Sequence, residues 1–165
     1  MAIFAAQNTE MKAPPMIANT TYIIALIASA LWFTAAFRYF GFQQFAAAKV
    51  LVPASARSSP LFPTMAAAIR FLGGMNGALA LMSVILLLCA VTGSPAFADP
   101  IERGLILCIL ATAHFSQFIF NVPVLNAGER QGESYWNVRS GPMLFIFVMD
   151  GAQAIINLGA AIMQF

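Results

Sequence analysis

Charge is what this sequence has least of. Only 8% of its 165 residues are Asp, Glu, Lys or Arg, while 61% are hydrophobic. An ordinary soluble domain carries about 25% charged and about 45–50% apolar residues. A water-soluble fold of this length lies mostly near its own surface and needs polar side chains to cover it, so lipid is the expected solvent. The few basic residues form no run or stripe and the net charge is +2, which leaves no electrostatic footprint for nucleic acid. One histidine and two cysteines, in no Cys-x-x-Cys or Cys/His spacing, offer no metal site. Cys89 and Cys108 lie in separate apolar stretches and read as reduced thiols. No Gly-rich phosphate loop and no nucleophile elbow is present. No catalytic residue and no cofactor is expected, though bound lipid is compatible with the composition.

What is there is hydrocarbon in blocks. A membrane-crossing helix needs about 20 mostly apolar residues, and four segments reach that length: 17–37, 66–91, 101–125 and 142–164. Between them stand Pro53, Ser55, Ser58, Ser59, Pro60 and Pro63, then Thr92-Gly93-Ser94-Pro95, then Asn126-Ala127-Gly128-Glu129, all turn chemistry. Pro123 is expected to stop the third span, and Ser140-Gly141-Pro142 to start the fourth with a serine cap and proline in the first turn. Residues 2–15 read as a tail or a surface-lying segment. The expected architecture is an all-α, integral membrane four-helix bundle in one domain.

Two features vote on orientation. Arg38, Lys49, Arg57, Arg130 and Arg139 fall in the first and third connections, against Lys12 and Arg103 in the tail and the second connection. The positive-inside rule then places both termini outside the cytoplasm. The run through Leu81 to Ala90, followed by Ala96-Phe97-Ala98, imitates a signal peptide from the basic flank at Arg70 to small residues beyond. It gives the same orientation.

Ionisable residues deep in a span are costly and are functional candidates by default. Arg70, His114 and Asp150 qualify. With a rise of about 1.5 Å per residue, Asp150 and His114 lie roughly 12–17 Å from the cytoplasmic ends of their spans, and Asn76 falls at a similar level. His114, Gln117 and Asn121 follow i, i+3, i+7 on the third span, as do Asp150, Gln153 and Asn157 on the fourth. Each stripe must face protein or water, since lipid leaves its hydrogen bonds unmade. One reading makes the stripes helix–helix glue, with Asp150 balanced by Arg70 or His114. The other makes Asn76, His114 and Asp150 a site that binds a polar head group or passes a proton, histidine being the side chain suited to that exchange. Ser116 lies two positions from His114 and points away from it on a helix, so a nucleophilic triad is not indicated. The first span carries no deep charge and is expected to be peripheral.

Packing signals are separate. Gly73 and Gly77 make a Gly-x-x-x-Gly pair suited to close helix approach, within the bundle or toward a partner. Trp32, Phe33, Phe37, Tyr39, Phe40 and Phe42 crowd the end of the first span, as an interfacial aromatic belt would. Tyr135 and Trp136 in the third connection read as a surface anchor or as a docking patch for another membrane protein.

Arg70-Phe71-Leu72-Gly73 at the start of the second span and Ala113-His114-Phe115 in the third resemble the small four-span scaffold proteins of sterol biosynthesis, a family best known from the ergosterol pathway of fungi. The resemblance implies a non-enzymatic membrane protein that gathers other membrane enzymes. The chain departs from that pattern at Met75-Asn76, where an aromatic is expected, and at Gln117, where an acidic residue is.

Overall fold

The computed structural model describes residues 16–127 and 136–165. The tail at 2–15 and, in the third connection, residues 128–135 with Tyr135 lie outside the described residues. Among the described residues, every regular element is helical: α1 (Met16–Ala36), α2 (Gln44–Leu51), α3 (Phe62–Thr92), α4 (Pro100–Ala127) and α5 (Gly141–Ile162). Four helices are long and apolar enough to cross a membrane. The protein is an all-α, multi-pass membrane bundle. Helices are the expected solution, because a lipid-solvated backbone must satisfy its own N–H and C=O groups.

Boundaries differ from the sequence expectation where proline was misread. Pro63 belongs to the first turn of α3, not to the preceding loop, where its missing N–H costs nothing. Pro123 does not stop α4, which continues to Ala127. The first span does not end at Phe37 but runs on as a π-helical turn, Phe37–Phe42, giving a span of 27 residues from Met16. The first connection contains the short helix α2 and a single 3-10 turn, Ala54–Ala56, which the Pro/Ser composition concealed. Capping is only partly as expected. Asp99 Oδ1 accepts from the backbone N–H of Ile101 (2.8 Å) and Glu102 (3.3 Å) and caps α4. Gly93 closes α3 in the left-handed conformation (φ 67°), which favours glycine. Ser140, however, makes no side-chain cap to α5. Its hydroxyl instead accepts from Asn137 Nδ2, and Asn137 Oδ1 accepts from the Ser140 backbone N–H.

Helix α1 is the middle member, which reverses the expectation of a peripheral first span. It packs along α3 on one side and α5 on the other, and α5 packs on α4. Tyr22, Leu26 and Phe33 of α1 meet Leu86 of α3, Leu107 and Leu110 of α4, and Ala160 and Ala161 of α5 in one core. A second cluster sets Phe40, Ala47 and Ala48 against Ala66 and Ile69, fastening α2 to the start of α3. Large apolar side chains such as Leu31, Phe71, Leu105, Phe120 and Ile155 point outward, the inverse of a soluble protein.

The close approach of the π turn after α1 to α3 is made by glycine. A Cβ on Gly73 would lie 2.4 Å from Gly41 N and 2.6 Å from Gly41 Cα, and one on Gly77 would lie 2.9 Å from the Phe37 ring. Gly73 and Gly77 therefore face the chain's own π turn, which is the packing within the bundle that their spacing allows.

Candidate functional site

The polar stripe of α5 faces α1 along its length. Asp150 Oδ1 accepts from Trp32 Nε1 at 2.8 Å. Gln153 Nε2 donates to the Ala28 carbonyl at 3.1 Å. Asn157 Nδ2 donates to Ser29 Oγ at 3.0 Å, and Gln164 Nε2 donates to the Ala18 carbonyl at 2.7 Å. From the Gln164–Ala18 contact at one end to Asp150–Trp32 at the other, the α1 number rises as the α5-side number falls, so the two helices are antiparallel and the Met16 and Ile162 ends lie together.

His114 of α4 completes the layer. Its Nδ1 lies 3.2 Å from Asp150 Oδ1, with both side chains fully buried. Which of the two atoms donates in this contact is set by the imidazole tautomer. Phe33 stacks on the imidazole at 4.3 Å and 13°, which fixes the ring's plane. Four side chains from three helices thus form one unit: Trp32 and Phe33, His114, and Asp150.

The other sequence candidates are placed unevenly. Asn76 is buried, but its Nδ2 donates to the Leu72 carbonyl of its own helix (2.8 Å); it makes no hydrogen bond with His114 or Asp150. Arg70 is exposed and makes no salt bridge with Asp150, whose ion-pair partner among the described residues is His114. Gln117 is half-buried and, with Trp32, lines a cleft between the first span, α4 and α5. Asn121 Oδ1 accepts from Trp136 Nε1 at 2.7 Å, so Trp136 fastens residues 136–140 to α4. Its indole N–H is spent inside the chain. Several buried polar atoms have no hydrogen-bond partner among the described residues: Asn76 Oδ1, His114 Nε2, Asp150 Oδ2 and Gln153 Oε1. Ser116 Oγ donates to the Ala113 carbonyl (2.8 Å) and takes no part. Among the described residues no cluster of three metal-ligating side chains forms, and Cys89 and Cys108 are free thiols.

Two contributions escaped the sequence reading. The first is the α1 face itself, with Ser29, Trp32 and Phe33 on it; Trp32 and Phe33 read as interfacial belt, yet Phe33 is buried and Trp32 is half-buried with its indole N–H on Asp150. The signal was present in Tyr22, Leu26, Ser29 and Phe33, which repeat at i, i+4, i+7 and i+11 as one helix face does. The second is Arg103, counted as a loop cation. It is buried, with Nε donating to the Phe97 carbonyl (2.9 Å) and Nη1 to Asn19 Oδ1 (3.0 Å), and its guanidinium sits 4.8 Å from the Tyr22 ring centre. It ties α4 to the start of α1.

Comparison with known proteins gives no match to any family model, any curated protein or any solved structure.

Proposed function

We propose that this protein is a non-catalytic scaffold or accessory subunit of a larger membrane assembly. The observation that carries the reading is closure of the deep layer. His114 and Asp150 are fully buried, and the polar side chains around them are used between helices rather than turned to an open site. A layer built this way holds helices together, as interhelical hydrogen bonds do in membranes. Large apolar faces remain on α3 and α4 for lipid and for other integral membrane proteins. The lysine and arginine balance supports both termini lying outside the cytoplasm. Extraction from native membranes with a mild detergent tests the reading: co-migration with other membrane proteins is expected, and a chain that runs alone as a monomer or simple homodimer refutes it.

A second reading is favoured by the unpartnered His114 Nε2 and Asp150 Oδ2. There the His114–Asp150 pair exchanges a proton or meets a polar head group. It requires that His114→Ala and Asp150→Asn remove a proton-linked or ligand-linked signal while the bundle stays folded. Variants that are silent in every such measurement exclude it.

A further inference from the structure

We propose that the lateral cleft beside Trp32 binds a membrane-dissolved molecule with a flat, oxygen-bearing ring, a quinone or its hydroquinone, whose ring oxygen hydrogen-bonds to Gln117. The cleft has a volume of about 220 Å³ and lies between the end of the first span, α4 and the first turns of α5. An engineered cavity of about 150 Å³ holds benzene, so this one accommodates a substituted six-membered ring but no long tail. The tail leaves through the open mouth of the cleft.

The walls favour a flat ring. Trp32, Tyr39, Phe40 and Phe145 contribute rings to the lining, and aromatic groups pack well edge-to-face or offset-stacked. Trp32 is held in place twice, by its 2.8 Å bond to Asp150 and by an edge contact with Phe145 at 5.5 Å and 69°. The wall is therefore preformed, and binding does not have to order it.

Gln117 decides the chemistry. Its backbone carbonyl accepts from Asn121, but its side-chain amide has no hydrogen-bond partner among the described residues and borders the cleft. An amide left unpaired in hydrocarbon is costly. An acyl chain leaves it so; a ring carbonyl accepts from Nε2, and a ring hydroxyl donates to Oε1. The proposal is independent of the scaffold reading, and neither needs the other to hold.

The test uses the full chain in lipid nanodiscs carrying Trp136→Phe. Of the two tryptophans only Trp32 then remains, and a quinone in contact with it quenches its emission. Titration with a decyl-tailed benzoquinone is expected to give saturable quenching. Gln117→Leu is expected to raise the half-saturating concentration roughly tenfold, the size of one lost hydrogen bond, and Ala35→Leu, which fills the cleft, to abolish saturation. Displacement by the decyl hydroquinone shows that the hydroxyl form is bound too; failure to displace assigns the site to the quinone. Decylbenzene, which lacks the oxygen, should compete at least tenfold more weakly. Circular dichroism confirms that each variant is folded. The proposal is overturned by quenching that rises linearly with quinone and persists in Ala35→Leu, by an unchanged Gln117→Leu titration, or by decylbenzene competing as well as quinone.

Discussion

Replacing Gly73 by alanine should separate α1 from α3, and the cost can be worked from distances. The new methyl would sit 2.4 Å from Gly41 N, 2.6 Å from Gly41 Cα and 2.9 Å from the Phe40 carbonyl carbon. Carbon atoms pack comfortably at about 3.5–4.0 Å, so the π turn must retreat by roughly 1 Å. All three obstructing atoms are backbone, and no rotamer change clears them. Retreat also loosens Phe40 from Ala47, Ala66 and Ile69. Overpacking typically costs about 1–3 kcal/mol, and the rigid obstruction puts Gly73→Ala toward the upper end. Gly77→Ala meets the Phe37 side chain at 2.9–3.2 Å; a ring can swing, so about 1 kcal/mol is expected. Gly74 has nothing within 4 Å of its Cβ position, and Gly74→Ala should be neutral or stabilising by up to about 1 kcal/mol through helix propensity. Unfolding by sodium dodecyl sulfate in mixed micelles, followed by circular dichroism, measures the series. A Gly73→Ala protein as stable as the parent, or a Gly74→Ala protein damaged as badly, refutes the intrachain glycine contact. A cost that depends on protein concentration would place the contact between two copies.

Three further outcomes are expected. Asp150→Leu removes the acceptor of Trp32 Nε1 and the partner of His114 Nδ1, and should cost about 2–3 kcal/mol in the same unfolding assay, whereas Asp150→Asn keeps an oxygen for Trp32 and should cost markedly less; equal losses contradict the bonding scheme. A double-mutant cycle on Ser29→Ala and Asn157→Ala should return a coupling of about 0.6 kcal/mol, the average for interhelical hydrogen bonds, and zero coupling means the pair is not formed in the membrane. Arg103→Met strips the donors from the Phe97 carbonyl and Asn19 Oδ1, and should lower stability by about 1–3 kcal/mol while hydrogen exchange rises at the α4 start rather than near Asp150; uniform exchange across the bundle argues against a local tie.

Four spans were legible because lipid imposes a length and an apolar composition that few other contexts demand. The α5 stripe was legible for a related reason: Asp150, Gln153 and Asn157 contrast sharply with hydrocarbon, and their spacing puts them on one face. The matching face of α1 was hidden because nothing on it carries a charge. A backbone carbonyl at Ala28 leaves no mark in sequence, Ser29 is small enough to be tolerated on any face, and Trp32 looks the same at an interface as against a buried carboxylate. Arg103 was misplaced because charge counts treat every arginine near a helix end as solvated. A guanidinium beside a carbonyl and a tyrosine ring can instead be buried.

The two interfaces of α1 impose different constraints. On the α5 side, hydrogen bonds are distributed over four levels, from Ala18 to Trp32, and each is worth a fraction of a kcal/mol in a membrane, so losing one leaves the others in place. On the α3 side the register depends on two backbones meeting at Gly41 and Gly73, where even a methyl group does not fit. Helix association in lipid gains little from burying hydrocarbon, because the tails are equally apolar; the glycine contact therefore carries more of the specificity than any polar pair. The His114–Asp150 layer is then the part of the bundle where substitution can change chemistry without dissolving the fold. That is the condition under which Asp150→Asn distinguishes a structural layer from a working one.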